Sequence, residues 1–180
     1  MTRLLGALAV AFYAIHAAVH VARRQPENLL WVCHLGSLAV GAGLLLRSPA
    51  LNAVGAFWLC WGLPLWILYL AMGGEFMPTS LGTHVGGLAI GFVGLRRIGL
   101  PRGAWWKTVL AWAVLVVFTR VATPPAENVN MAHRVQQGWE TSFTSHPVYI
   151  VMIGATGAAL SLALQFGLPK LGFRAPAEAA

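Results

Sequence analysis

The sequence is poor in charge, in cysteine and above all in acidic side chains. Only 9% of its 180 residues are charged, all five acids are glutamates, and there are two cysteines. A soluble domain of this length needs more charged surface, so the composition excludes that class. The two cysteines, Cys33 and Cys60, fall at different depths of the predicted helices described below, which argues against a disulfide between them. Hydrophobic residues make up 58% of the chain, and the sequence therefore predicts an all-α, polytopic integral membrane protein.

Six apolar stretches are long enough to be transmembrane helices. A hydrocarbon core about 30 Å thick requires about 20 residues at a rise of about 1.5 Å per residue. Each stretch ends at charges or at proline and glycine breakers, as helix ends do. The predicted spans are 4–22, 28–46, 51–72, 77–95, 104–122 and 147–168. They form one transmembrane domain over residues 1–180, and we expect the first to stay uncleaved because its apolar run is longer than that of a signal peptide.

The distribution of lysine and arginine predicts the orientation of the spans. Positive charge is retained on the cytoplasmic side of a membrane. Eight basic residues fall on one side of the six spans, namely Arg3, Arg47, Arg96, Arg97, Arg102, Lys107, Lys170 and Arg174. The other side has four, namely Arg23, Arg24, Arg120 and Arg134. Both termini are therefore predicted to be cytoplasmic, in what we expect to be a bacterial cytoplasmic membrane. The net charge of +7 then reflects topology and contact with membrane lipids rather than nucleic-acid binding.

All six histidines fall in the outer half of the predicted bundle. His16 and His20 lie in the last two turns of the first span, and His34 follows Cys33 near the start of the second. His84 lies in the first two turns of the fourth span. Ionisable groups within a bilayer are costly, so they tend to face the bundle interior and mark a site. We therefore predict a functional site at Cys33, His34 and His84, aided by His16 and His20.

The residue types at this site are those of covalent acyl chemistry. A thiol beside an imidazole can be deprotonated and can attack an ester or thioester carbonyl. Cys33 is then the nucleophile, and His84 takes and returns the proton. Ser37, one turn beyond Cys33 on the same helix face, is placed to hydrogen-bond the intermediate. Cys60, between tryptophans in the middle of the third span, is interpreted as a small buried apolar residue.

Two segments of the chain resemble the signature segments of one membrane-protein superfamily. They are residues 30–38, LWVCHLGSL, and residues 81–87, LGTHVGG. The superfamily contains the androgen-induced intramembrane hydrolases, the cysteine-dependent transmembrane acyltransferases and the bacterial integral membrane proteins of the YwaF type. Residues 128–131, NVNM, and 146–150, HPVYI, are similar to segments of the YwaF-type chains, so the resemblance covers about residues 28–165.

This resemblance implies Cys33 as the nucleophile and His84 as its partner in a lipid-acyl hydrolase or acyltransferase. No cofactor is then expected. The supporting or substrate-binding residues would be His34, Ser37, Thr83, Asn130 and Glu140. The chain departs from the family in being shorter than most members and in the order of its adjacent cysteine and histidine.

The main alternative is a haem or transition-metal site. His16 and His20 stand four residues apart, on one face of one helix, and His34 or His84 can add a third ligand. Two histidines on facing helices can equally ligate haem within a helical bundle. No glutamate lies within a predicted span, which excludes a carboxylate-bridged di-iron site.

A further alternative is a transporter or a structural subunit without enzymatic activity. Glycines are frequent in the second and fourth spans, where small residues let helices approach closely and would allow homo- or hetero-oligomers. No acid lies in the middle of a span, which argues against a proton-driven transporter.

The outer loop, residues 123–145, offers a candidate lid. Over residues 131–143, Val135, Trp139 and Phe143 fall on one helical face, which predicts a short interfacial helix above the site. Glu140 or His133 would then orient His84 or bind a polar headgroup. A plain polar connector is the alternative, in which His133 and the nearby His146 are interfacial residues.

Overall fold

The computed structural model describes residues 1–143 and 145–176, and every regular element within them is helical. The predicted all-α class is confirmed. The seven helices are α1 (Thr2–Ala22), α2 (Val32–Leu45), α3 (Pro49–Ala71), α4 (Pro78–Leu81), α5 (Gly87–Ile98), α6 (Ala104–Ala122) and α7 (His146–Gly167). A π-helical turn, Gly82–Gly86, joins α4 to α5 without a break. The three 3₁₀ turns are Pro26–Leu30, Val129–Met131 and Leu168–Leu171.

Within the described residues, four segments are long and apolar enough to cross a membrane. They are Thr2–Ala22, Pro49–Ala71, Ala104–Ala122 and His146–Leu171, and their starts agree with the prediction to within one or two residues. The predicted fourth span, 77–95, coincides with the continuous helical stretch of α4, the π turn and α5, which is not among the four candidates found in the described residues. The predicted second span, 28–46, is wrong at its start. Residues Pro26–Leu30 form a separate 3₁₀ turn, Trp31 has ψ 134°, and the 14-residue α2 begins only at Val32.

Helix α2 lies at the centre of the fold, packed against α3, α1 and α5. Glycines make these contacts close. A Cβ added at Gly41 would lie 2.8 Å from the carbonyl oxygen of Gly6 in α1, and one at Gly55 would lie 2.5 Å from the carbonyl oxygen of Gly36. Any side chain at these positions would force the helices apart. The glycine-rich face of α2 is therefore used for packing within the chain.

The outer faces of several helices remain apolar. Val114, Val117 and Val121 on α6 are 62%, 65% and 85% exposed, and Val151 on α7 is 69% exposed. Apolar side chains in this number along the outside of long helices are typical of surfaces that meet another apolar phase.

The predicted interfacial helix over residues 131–143 is wrong. After Met131 these residues form turns, bends and irregular backbone, and Met131 and Gly138 have positive φ, 59° and 87°. A run of α-helix cannot pass through left-handed residues.

Aromatic packing holds this loop to α7 instead. The ring centroids of Phe143 and Tyr149 lie 4.9 Å apart, and those of Trp139 and Tyr149 lie 6.2 Å apart. Glu140 is exposed and accepts a hydrogen bond from the Gly138 amide at 2.8 Å. The expected role of Glu140 in orienting His84 is therefore not seen, since its carboxylate is bound within its own loop.

A candidate metal centre formed by clustered histidines

Two histidines of α1 and one of α2 converge in the interior. His16 and His20, one helical turn apart, point to the same side of α1, and His34 faces them from the first turn of α2. The Nε2 atom of His16 lies 3.1 Å from Nε2 of His34 and 3.2 Å from Nε2 of His20. These side chains are 1%, 4% and 7% exposed for His16, His20 and His34. We refer to His16, His20 and His34 as the three-histidine cluster.

The start of α2, and with it the position of His34, is fixed by Asn130 from the outer loop. The Asn130 side chain accepts a hydrogen bond from the Val32 amide and donates one to the Leu30 carbonyl oxygen, both at 2.7 Å. It thereby satisfies one of the free amides that every helix start leaves. Asn130 was predicted to support the site or bind substrate, and the structure gives it a supporting position two residues before His34.

Hydrogen bonds at the far side of each ring orient the cluster. His34 Nδ1 lies 2.8 Å from the carbonyl oxygen of Asn28. A carbonyl can only accept, so Nδ1 of His34 bears the proton, and the neutral ring presents its Nε2 lone pair to His16. His16 Nδ1 lies 2.8 Å from the Thr79 hydroxyl. Both rings therefore direct Nε2 inward, the arrangement that outer-shell hydrogen bonds produce around a metal.

The contacts that Asn28 and Thr79 make with the cluster were not predicted from the sequence. Asn28 contributes through its backbone carbonyl, which carries no sequence signal, and Thr79 comes from a helix distant in the chain. Thr79 also lines a groove of about 260 Å³ on the surface between α1 and α4, together with Phe12, Ile15, Pro78 and Gly82. The groove places the hydroxyl that contacts His16 close to the molecular surface.

His84 lies beside this cluster on the π turn, a helix irregularity that is frequent at functional sites. Its Nδ1 donates to the carbonyl oxygen of Ser80 at 3.0 Å. Its Nε2 is buried and has no hydrogen-bond partner among the described residues. The ring stacks on Trp66 with centroids 4.8 Å apart and meets the His34 ring edge-on at 5.6 Å. Trp66 was not predicted, because its place depends on how α3 is rotated.

Cys33 completes a second group with His34 and His84. Its Sγ and one ring nitrogen of each histidine all lie within 4.8 Å of one another. Cys33 is partly buried, and its Cβ packs so closely on α3 that a Cβ added at Gly62 would lie 2.6 Å away. Cys60 is also a free thiol and belongs to neither group.

The other predicted site residues have structural partners. The Ser37 hydroxyl donates to the carbonyl oxygen of Ala9 at 3.0 Å, and Thr83 donates to that of Ser80 at 2.9 Å. The buried Ser37 hydroxyl thus has an acceptor within the fold, and its role in binding an intermediate stays a prediction. His146 Nε2 donates to the Met131 carbonyl oxygen at 2.9 Å, away from the cluster.

An ion pair ties the end of α1 to the segment after α3. The Arg23 guanidinium contacts both carboxylate oxygens of Glu75, at 2.7 and 2.8 Å. This pair is exposed and follows His20 by less than one turn.

The site thus offers three inward-facing imidazole nitrogens, a fourth imidazole with a free nitrogen, and a thiol. Such a set can ligate a transition metal or, through Cys33 and His84 alone, carry out nucleophilic chemistry. No protein-family model, no curated protein and no solved structure matches this chain.

Proposed function

We propose that this chain is an integral membrane protein that binds a transition-metal ion through the three-histidine cluster. The observation that carries the proposal is the pair of Nε2–Nε2 distances, 3.1 and 3.2 Å. Two imidazole nitrogens that each lie about 2.0–2.1 Å from one tetrahedral ion are about 3.3 Å apart. These two distances match those of a tetrahedral site, and the ligand atoms of all three histidines lie within 4.8 Å of one another.

The ligand types narrow the choice of metal. Neutral imidazole suits zinc, copper, iron and nickel, whereas magnesium, calcium and manganese prefer oxygen ligands. The two metal-binding groups found among the described residues contain no carboxylate. Three protein ligands leave a fourth position open, as in catalytic zinc sites. A nitrogen-bound zinc or copper ion fits best.

A single ion fits the three-histidine cluster better than haem. The two axial nitrogens of a haem iron stand on opposite sides of the porphyrin, about 4 Å apart when each bond is about 2.0 Å. The contacts of 3.1 and 3.2 Å leave no room for a macrocycle between these rings.

Metal analysis of the protein purified in detergent tests this proposal. About one equivalent of a transition metal per chain is expected, as for a single three-ligand site, together with no Soret absorption. Protein that arrives without metal should take up Zn²⁺ or Co²⁺ on titration. A preparation that neither retains nor takes up these ions would contradict the proposal.

The membrane placement belongs to the same proposal. We infer six spans with both termini in the cytoplasm, in a bacterial cytoplasmic membrane, and the metal site in the outer half of the bilayer. The exposed valines of α6 and α7 support contact with lipid, and the excess of basic residues on one side supports the orientation.

Cysteine-accessibility scanning in a Cys33→Ala/Cys60→Ala background checks this orientation. A single cysteine at Gln137, an exposed residue of the outer loop, should react with a membrane-impermeant reagent from outside, and one at the exposed Arg97 only after the membrane is opened. The reverse pattern would overturn the orientation.

Acyl chemistry at Cys33 is the second candidate function, as the resemblance to intramembrane hydrolases and acyltransferases suggested. A specific observation favours it. His84 donates from Nδ1 to a backbone carbonyl and keeps Nε2 free, which is the state of a general base, and the Cys33 thiol lies in the same group. Cys33 would attack a lipid acyl ester, and His84 would take the thiol proton and pass it to the leaving group.

Labelling with a lipophilic electrophilic ester probe tests this candidate. Cys33→Ala should abolish labelling, and His84→Gln should reduce it by about 10²-fold or more, the usual contribution of a general base. Cys60→Ala is the matched control and should label as the wild type does. Unchanged labelling of Cys33→Ala would remove Cys33 as the nucleophile.

A further inference from the structure

His34 is shared by two sets of metal ligands. In the first, the ligand atoms of His16, His20 and His34 lie within 4.8 Å of one another; in the second, those of Cys33, His34 and His84 do so. The first set is the three-histidine cluster, which we call the histidine station where it is compared with the second set, and we call the second set the thiolate station. Four of the five residues occur in one set only, so His34 is the link between α1 on one side and α3 and the π turn on the other.

The unpaired Nε2 atom of His84 indicates a metal-ligand position that is independent of the first set. His84 is 1% exposed, and its Nε2 has no hydrogen-bond partner among the residues that the structure describes. Because Nδ1 donates to Ser80, Nε2 of the neutral ring is a lone pair, and a buried polar atom left unpaired costs free energy. Stacking on Trp66 fixes the orientation of the His84 ring. Metal coordination would satisfy this atom.

Because of the hydrogen bond that His34 makes, only one of the two stations can hold an ion at a time. Its Nδ1 proton is donated to the Asn28 carbonyl oxygen, so only Nε2 can coordinate an ion. One lone pair forms one coordinate bond. The stations are thus two positions for a single ion and not a pair of separate sites.

We propose that this protein passes one metal ion between the histidine station and the thiolate station by exchange of ligands on His34. This inference rests on the proposed metal-binding function and deepens it, because the ion becomes cargo rather than a fixed cofactor. The ions that accept both nitrogen and thiolate ligands readily are Zn²⁺ and Cu⁺. A protein that moves an ion needs a site of moderate affinity from which the ion can leave, and a shared ligand provides this.

The exchange balances without any other reactant. As the ion leaves His16 and His20, bonds form to the Cys33 sulfur and to His84 Nε2, while the bond to His34 is kept. The Cys33 thiol loses its proton when the metal–sulfur bond forms. One of the two imidazoles that the ion has left accepts that proton, so the oxidation state of the metal and the total charge do not change.

The two stations lie against different helices. The histidine station is bounded by α1, close to the exposed Arg23–Glu75 pair and to the surface groove at Thr79. The thiolate station lies against α3, where Cys33 packs on Gly62 and His84 stacks on Trp66. The ion would move between the α1 side and the α3 side of His34.

Cobalt absorption can distinguish the two stations. Co²⁺ bound to thiolate has a sulfur-to-metal charge-transfer band in the near ultraviolet, and Co²⁺ bound to nitrogen alone lacks it. His20→Gln and His16→Gln each remove one ligand of the histidine station only. Both variants should bind Co²⁺ with a stronger thiolate band per bound ion than the wild type. Cys33→Ser should bind about one equivalent at the intact three-ligand station and show no thiolate band, while Cys60→Ser should match the wild type.

The outcomes separate this inference from the function on which it rests. If wild type and Cys33→Ser both fail to bind Co²⁺, the metal-binding function itself is wrong. If they bind it, but His16→Gln and His20→Gln either lose all binding or show no thiolate band, the second station is wrong and the first survives. Two bound ions per wild-type chain would overturn the sharing of His34. Elution of each variant as a single detergent-solubilised species confirms that it is folded.

Discussion

Replacing His34 with glutamine should abolish stoichiometric metal binding. His34 supplies the Nε2 atom that lies 3.1 Å from that of His16, and it is the residue common to both groups of potential ligands. Loss of an outer-shell partner typically lowers metal affinity by about 10- to 100-fold, and loss of a direct ligand of both sets should exceed this. We expect a fall of at least about 10²-fold, measured by competition of Zn²⁺ between protein and a chelator.

His146→Gln is the matched control for that substitution. His146 also lies at the start of an apolar helix, but its Nε2 donates to Met131 and not to the cluster. Its replacement should leave metal affinity unchanged. A His34→Gln protein that still holds a full equivalent of metal would refute the assignment of His34 as a ligand.

Replacing Asn130 with alanine should have the largest effect on stability. The buried hydrogen bond from the Val32 amide and the partly buried one to the Leu30 carbonyl oxygen would be lost, and each backbone group left unpaired costs about 1–3 kcal/mol. Asn130 also has φ 53°, a conformation that costs an alanine about 1–2 kcal/mol. The free energy of unfolding should fall by about 3–8 kcal/mol, with metal affinity lowered as for an outer-shell residue.

The Asn130→Gly variant separates the loss of the two hydrogen bonds from the strain of the positive φ. Glycine adopts a positive φ without strain, so this variant should recover the backbone part of the loss and keep the hydrogen-bond part. Thermal unfolding followed by circular dichroism in detergent measures both variants. If Asn130→Ala is as stable as the wild type, the loop does not hold the start of α2.

Much of the fold follows from composition and from helix breakers. The start of α3 at Pro49 and the end of α6 before Pro124 are visible in the sequence, because proline sets φ and removes a donor. The start of α2 was not predictable in this way. It is set by Asn130, which is 98 residues beyond Val32 in the chain, and no local pattern encodes so distant a partner.

The members of the site were predictable, but their pairing was not. The spacing of His16 and His20 places them on one helix face, and the depths of His34 and His84 follow from the predicted spans. Which rings meet depends on how each helix is rotated about its axis, and this is decided by packing over the whole helix. Ser37 illustrates the limit, since it shares a face with Cys33 but its hydroxyl turns to the Ala9 carbonyl oxygen.

The π turn at Gly82–Gly86 also has a consequence for helical phase. Its closing bond runs from the Gly87 amide to the Gly82 carbonyl oxygen, five residues back. A turn of this kind holds one residue more than a regular turn, so the helix before it is displaced by about 100° relative to the helix after it. The extra residue of the π turn therefore determines how His84 is oriented relative to the face of α5 that packs on α3. If the same residues formed a regular helix, His84 would be rotated by about 100° relative to that face of α5 and would turn away from the other three histidines, while every ligand remained in the sequence.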